Sequence, residues 1–210
     1  MKIASLIVSV VFHPMLMATY GCLLLFFGIR DTVYDYLTAD SIKWKISAIV
    51  FIFSFVFPVV NIYILYRMGR IRTFSLSRQD ERGFPYLMTS LFYFGLYYLL
   101  MDINIWSSLK VFIVGAGLAI VLTALVNTRF KISAHMVGLG GLLGVLVSVS
   151  ALIRFDMTVF YMVVIIVAGL TAAARLYLEE HRPAQIYAGF VLGFAVQAGL
   201  FFGLQKMIFA

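Results

Sequence analysis

Long apolar runs and short polar interruptions alternate along the chain at intervals that suit a bilayer. Seven runs, at about 5–29, 45–68, 84–103, 107–128, 133–153, 157–177 and 184–206, each approach or exceed the roughly 20 residues that a helix needs to cross a hydrocarbon core. None alternates with period two, so the pattern predicts helices rather than the strands of a membrane barrel. The third and fourth runs are separated only by "DINIW", which predicts a tight hairpin or a less regular pair. The first run follows Lys2 as a signal peptide would. Its apolar stretch is too long for one and no small-x-small cleavage pattern follows, so it reads as a retained helix. The expected fold is an all-α integral membrane protein, a bundle of six to seven transmembrane helices in one polytopic domain over residues 1–210, without internal repeat or low-complexity segment.

Composition agrees with that pattern. The chain is 63% hydrophobic and 12% charged, with a mean hydropathy of +1.04. Soluble domains carry about 25% charged residues. A net charge of +7 could point to nucleic acid, but in so apolar a chain it fits lipid headgroups and membrane topology, and no nucleic-acid partner is expected. Cys22 is the sole cysteine, which excludes an internal disulfide and a thiolate metal site.

With seven spans, the amino terminus and the loops near 69–83, 129–132 and 178–183 share one side, here called face A. It carries Lys2, Arg67, Arg70, Arg72, Arg78, Arg82, Arg129, Lys131, Arg175 and Arg182, the larger part of the 16 Lys and Arg. Arg30, Lys43, Lys45, Lys110, Arg154 and Lys206 fall on the opposite face B. This excess points face A toward the cytoplasm. Trp44, Trp106, Tyr34 and Tyr36 at face B, with Tyr63, Tyr66 and Tyr86 at face A, read as interfacial aromatic belts.

Two polar stretches on face A carry candidate chemistry. In "NTRFKISAHMVGLGG", Ser133 is placed to cap a helix starting near 134, with His135 in its first turn and Arg129 and Lys131 just upstream. Unpaired N–H groups and the positive end of the helix dipole attract anions there. Read alone, this is a capped helix with cations reaching to headgroups. In "AARLYLEEHRPAQIYAGFVLG", Arg175 ends the sixth span, His181 opens the seventh, and Pro183 sits where a helix start tolerates it. Together the two stretches could frame a phosphate. His13, with Pro14, lies inside the first span, where a polar side chain is a functional candidate or bonds a neighbouring helix carbonyl. Asp102 and Asp156 mark helix ends at face B, and the glycines of "GLGGLLG" suit close helix packing.

The two stretches resemble the second and third signature motifs of the type-2 phosphatidic-acid phosphatase superfamily, which includes vanadium-dependent haloperoxidases. Ser133-Ala134-His135 resembles the family's Ser-Gly-His, and Arg175, five residues and His181 match its third motif. Gly189 and Gly193 correspond to the glycines after that motif. The resemblance covers about residues 125–195 and places a phosphatase-like core in the C-terminal half, about 107–206. Three positions depart from the pattern. Gln185 replaces an aspartate, Ala174 a serine, and the first motif, Lys, six residues, Arg-Pro, is missing in that form. Arg129 and Lys131 stand in its place, with Arg78 and Arg82 as second candidates.

The resemblance implies a metal-independent, cofactor-free lipid phosphatase of a bacterial cytoplasmic (inner) membrane. Its substrate would be phosphatidic acid, a phosphatidylglycerol phosphate or a polyprenyl pyrophosphate. His181 would attack phosphorus, His135 would protonate the leaving alkoxide, and Arg175, Lys131, Arg129 and the N–H groups after Ser133 would stabilise the phosphoryl oxygens. A non-catalytic lipid-phosphate-binding relative is the alternative, because Gln185 can orient the nucleophile but supplies no counter-charge. A transporter or channel fits less well, since the spans carry few ionisable groups and no paired broken helices. If His181 is the nucleophile, Gln185→Asp raises turnover in a phosphate-release assay; an unchanged rate would count against the assignment.

Overall fold

A computed structural model of the chain describes residues 1–29, 36 and 38–204. The sequence-based placements of Arg30, Tyr34 and Lys206 fall outside these residues. The helices are α1 (Lys2–Val11), α2 (Met17–Leu23), α3 (Asp40–Phe51), α4 (Phe57–Arg67), α5 (Gly83–Leu100), α6 (Ser107–Asn127), α7 (Ala134–Ile153), α8 (Thr158–Tyr177) and α9 (Pro183–Gly203). A 3₁₀ turn at Pro14–Leu16 joins α1 to α2, and wider π turns occupy Leu24–Gly28 and Ile52–Val56. No strand occurs among the described residues.

Six segments are long and apolar enough to cross a membrane: Lys2–Gly28, Asp40–Arg67 and the four helices α6 to α9. The seventh, α5, has 18 residues, four of them tyrosine, which lowers its hydropathy. Its path follows from the loops. Ser77 Oγ donates to Glu180 Oε1 at 3.3 Å, Arg82 NH1 to the Ile132 carbonyl at 3.4 Å, and Asn127 Nδ2 to the Gln79 carbonyl at 2.9 Å. The loops preceding α5, α7 and α9 therefore meet at one end of the bundle, which is face A. Since α6 also ends there, at Asn127, α5 must run down the bundle so that α6 can return.

The helix boundaries have local causes. Pro183 occupies the first turn of α9, where its missing N–H costs nothing. Asp156 accepts from the Thr158 N–H, the first of α8, at 2.9 Å and so satisfies one donor that has no partner within the helix. Arg154, left-handed with φ 53°, ends α7. The first span is broken rather than merely kinked: α1 stops at Val11, and His13 precedes a short 3₁₀ turn. Pro14 cannot donate to the helix ladder, and its ring disfavours a helical residue before it.

The closest packing is between α7 and α9. A Cβ on Gly140 would overlap the Phe190 carbonyl, and one on Gly193 the Val137 carbonyl. The two backbones thus approach as only glycine permits, and α7 becomes the most enclosed span. The tryptophan and tyrosine belts need correction. Trp44 and Tyr36 are exposed, but Trp106 is 5% exposed and belongs to the core under the start of α6. Tyr63 and Tyr66 are half exposed, whereas Tyr86 turns inward beside Arg82. We expect Gly193→Ala to lower stability in detergent by about 1–3 kcal/mol, since a backbone carbonyl has to give way. Gly169→Ala, with open space at its Cβ, leaves the thermal midpoint unchanged or raises it.

Candidate functional site

His181 and Gln185 define one wall of the site. Gln185 is the third residue of α9, and its Oε1 accepts from the Arg182 N–H at 3.0 Å. That backbone donor fixes which amide atom is oxygen. The same oxygen lies 3.2 Å from His181 Nδ1, so Nδ1 carries the hydrogen and Nε2 keeps a free lone pair. The backbone joins the two sequence stretches as well, because the Ser133 N–H donates to the Gln185 carbonyl at 3.2 Å. Gly189 allows this approach, for a Cβ there would press on the Ser133 carbonyl.

Around His181 stand three cations from three elements. Arg82, 4% exposed, precedes α5; its Nε donates to the Leu76 carbonyl at 2.7 Å, and among the described residues it has no carboxylate partner. Arg175 ends α8, and its NH2 lies 3.6 Å from Glu180 Oε2, while its Nε is buried without a partner. Lys131 Nζ lies 3.9 Å from the same oxygen. Arg82, Arg175 and Lys131 all act electrostatically on His181. One carboxylate faces three positive charges, and a buried unpaired charge costs several kcal/mol unless something compensates it. Ser133 sits at the cap position of α7, yet its side chain makes no capping bond. Its Oγ is buried and unpartnered, which corrects the expected cap.

His135 lies on the inner side of this cluster. Its Nε2 is 3.0 Å from the Ser9 carbonyl of α1; a carbonyl only accepts, so Nε2 carries the hydrogen. The His13 ring packs edge-on against it, with centroids 5.4 Å apart and planes at 80°. His13 Nδ1 accepts from the Met15 N–H at 3.4 Å. The carbonyl bond anticipated for His13 is thus made by its neighbour His135 instead. Arg175 is within electrostatic range of both rings.

Two sequence candidates stay outside. Arg78 is held by Asp80 through a pair of bonds at 2.8 and 3.1 Å on the exposed loop, and Arg129 is exposed to solvent. Glu180 turns to Arg175 and Lys131, and the left-handed Glu179 (φ 56°) turns the chain. Sequence reasoning ranked Arg82 low and missed Tyr86 and Ser9 as neighbours of the site. A loop arginine at the start of an apolar run carries no mark that it will be buried. Among the described residues no group of three or more His, Cys, Asp or Glu could hold a metal ion.

Comparison with family models, curated proteins and solved structures found no match for this chain.

Burial, and then Arg82, Arg175 and Lys131, lower the pKa of His181 from 6.5 to about 4, although the bond to Gln185 works the other way. Burial likewise lowers that of Lys131. The unfolded chain therefore takes up the His181 proton between those two pH values while the folded chain does not, and stability falls as pH falls through that window. An NMR titration assigned with a His181 variant is expected to show a midpoint near 4. Arg175→Gln and Lys131→Gln each move it upward. A midpoint at the ordinary imidazole value would mean that this ring is neither buried nor surrounded by the cations.

Proposed function

We propose that the chain is a membrane-embedded phosphatase that hydrolyses a phosphorylated lipid through a phosphohistidine intermediate. Its setting would be a bacterial cytoplasmic (inner) membrane, with the site at the cation-rich end. One observation carries the reading: Arg82, Arg175 and Lys131 all act electrostatically on buried His181, a single carboxylate lies between Arg175 and Lys131, and a serine hydroxyl nearby is unpartnered. A phosphate dianion supplies the missing negative charge and the acceptors that Ser133 Oγ and Arg175 Nε lack.

In the chemistry this allows, His181 Nε2 attacks phosphorus as the bond to the alkoxide oxygen breaks. Gln185 Oε1 holds Nδ1–H, so the attacking nitrogen is correctly oriented. The cations stabilise the charge on the equatorial oxygens. The leaving oxygen takes a proton from His135 Nδ1, so His135 enters this step as the imidazolium, Nε2–H being committed to Ser9 and the Nδ1 proton being taken up from solvent as the phosphate dianion binds. Water then attacks the phosphohistidine, gives its proton back to His135, and releases phosphate.

A second reading is a lipid-phosphate-binding protein without turnover. It is favoured by Gln185, whose neutral carbonyl is already shared with the Arg182 N–H and gives the developing imidazolium no counter-charge. In serine-histidine-aspartate enzymes, replacing the aspartate by its amide costs about 10⁴ in rate. The two readings part in one assay. Purified protein is screened for phosphate release from phosphatidic acid, phosphatidylglycerol phosphate and polyprenyl pyrophosphate. Catalysis predicts release that His181→Asn abolishes and Arg175→Gln lowers by at least about 10²-fold, the scale of losing one oxyanion donor. Binding of these lipids without release, weakened by Arg82→Gln, selects the second reading.

A further inference from the structure

A largely apolar cavity lies inside the bundle, inward of this site. Its upper wall is Pro14, Tyr86 and Ala134, and each adjoins a site residue: Pro14 follows His13, Ala134 follows Ser133, and the Tyr86 hydroxyl lies beside the Arg82 guanidinium. From there it descends along the helices. Its wall runs from Tyr86 to Tyr93 on α5 and from Ala134 to Gly141 on α7, seven residue steps on each, or roughly 10 Å at the rise of an α-helix. Gln197 of α9, 1% exposed, closes the deep part, with its Nε2 bonded to the Phe112 carbonyl at 3.1 Å. The threonines along the wall present methyl groups, because Thr89 and Thr123 turn their hydroxyls back to Pro85 and Ala119 carbonyls.

We propose that this cavity receives one hydrocarbon chain of the lipid whose phosphate sits among Arg82, Arg175 and Ser133. The inference rests on the phosphate site described above, and it deepens that reading by assigning where the tail goes. Three features select a chain over other occupants. The lining residues follow α5 and α7 along their axes, the direction in which an acyl or prenyl chain lies in a bilayer. The walls are largely apolar and offer water few partners, the unpartnered Gln197 Oε1 at the deep end aside. The cavity's upper residues Pro14, Tyr86 and Ala134 are neighbours of site residues, so a single amphiphile with its phosphate at the site has its tail at the cavity. The 3₁₀ turn at Pro14–Leu16 has a part here, for the break in the first span sets Pro14 and Met15 against the cavity, continued by Met17 and Ala18 at the start of α2. The N-terminal segment thus forms one side of the tail site, although it lies outside the stretch that resembles the phosphatases.

The test uses full-length protein in detergent and a long-chain phosphatidic acid carrying a diazirine within one acyl chain. After irradiation, labelled residues are mapped by mass spectrometry. The expected adducts fall on cavity residues such as Tyr93, Ala116 and Ile120. Unlabelled phosphatidic acid competes them away, diacylglycerol with the same chains does not, and Ala119→Phe, which fills the cavity, removes them. For any phosphate release, the same variant lowers the preference for dioleoyl over dihexanoyl phosphatidic acid at least tenfold in kcat/KM. Adducts confined to outward-facing residues such as Leu122 and Leu125, or competed equally by diacylglycerol, overturn the proposal even if the protein is a phosphatase. Head-group-dependent adducts in the cavity without phosphate release support it and overturn the catalytic reading instead.

Discussion

The contact between α7 and α9 is the constraint on which the rest of the molecule depends. Gly140 and Gly193 each face a backbone carbonyl at a separation that no side chain could share. Gly189 repeats the arrangement one turn nearer face A, against Ser133. Because the two helices touch along this seam, their first turns lie side by side, and the Ser133 N–H reaches the Gln185 carbonyl. In hydrocarbon there is little hydrophobic gain in joining helices, so close packing of small residues and a few polar bonds carry the association. The seam therefore fixes the site as a by-product of fixing the fold. Arg175 arrives on α8, which joins α7 to α9, and Arg82 on the loop that folds over the same end.

Much of the fold was legible because the bilayer imposes one dominant rule, a run of apolar residues per crossing. The boundaries of α6, α7, α8 and α9 fall within a few residues of the apolar runs. What periodicity could not show was orientation about each helix axis. Trp106 and Tyr86 sit at the membrane ends as the belts require, yet both turn inward, because a tyrosine beside a buried arginine and a tryptophan under a helix start find better contacts there than at headgroups. The first span carried its warning in Pro14, and the break proved larger than a kink since a 3₁₀ turn follows.

The candidate site was legible where residue type and spacing carry the chemistry, and hidden where tertiary placement does. Arg175, His181, Ser133 and Lys131 could be named because they flank helix ends on a common face, and the structure gathers all four. Arg129 and Arg82 looked alike as loop cations; one is exposed and the other almost wholly buried, and only the path of residues 68–82 over Ile132 decides which. His13 was conspicuous for its depth in the first span, but its contact with His135 depends on α1 crossing near the start of α7. No local pattern encodes that crossing.

The charge balance explains why Glu180 is where it is. Its oxygen lies 3.6 Å from Arg175 and 3.9 Å from Lys131, both beyond the length of a good hydrogen bond, so it screens the cations without gripping them. A tight bidentate pair would satisfy Arg175 and leave it nothing to offer a ligand. The loose arrangement lowers the cost of three neighbouring cations while Arg175 Nε and Ser133 Oγ stay unpartnered. On the proposed reading, an incoming phosphate makes the short bonds that the carboxylate does not. Ser77, already bonded to the other carboxylate oxygen at 3.3 Å, holds Glu180 toward the loop as the phosphate enters. On that reading the site is stable enough to fold and unsatisfied enough to bind.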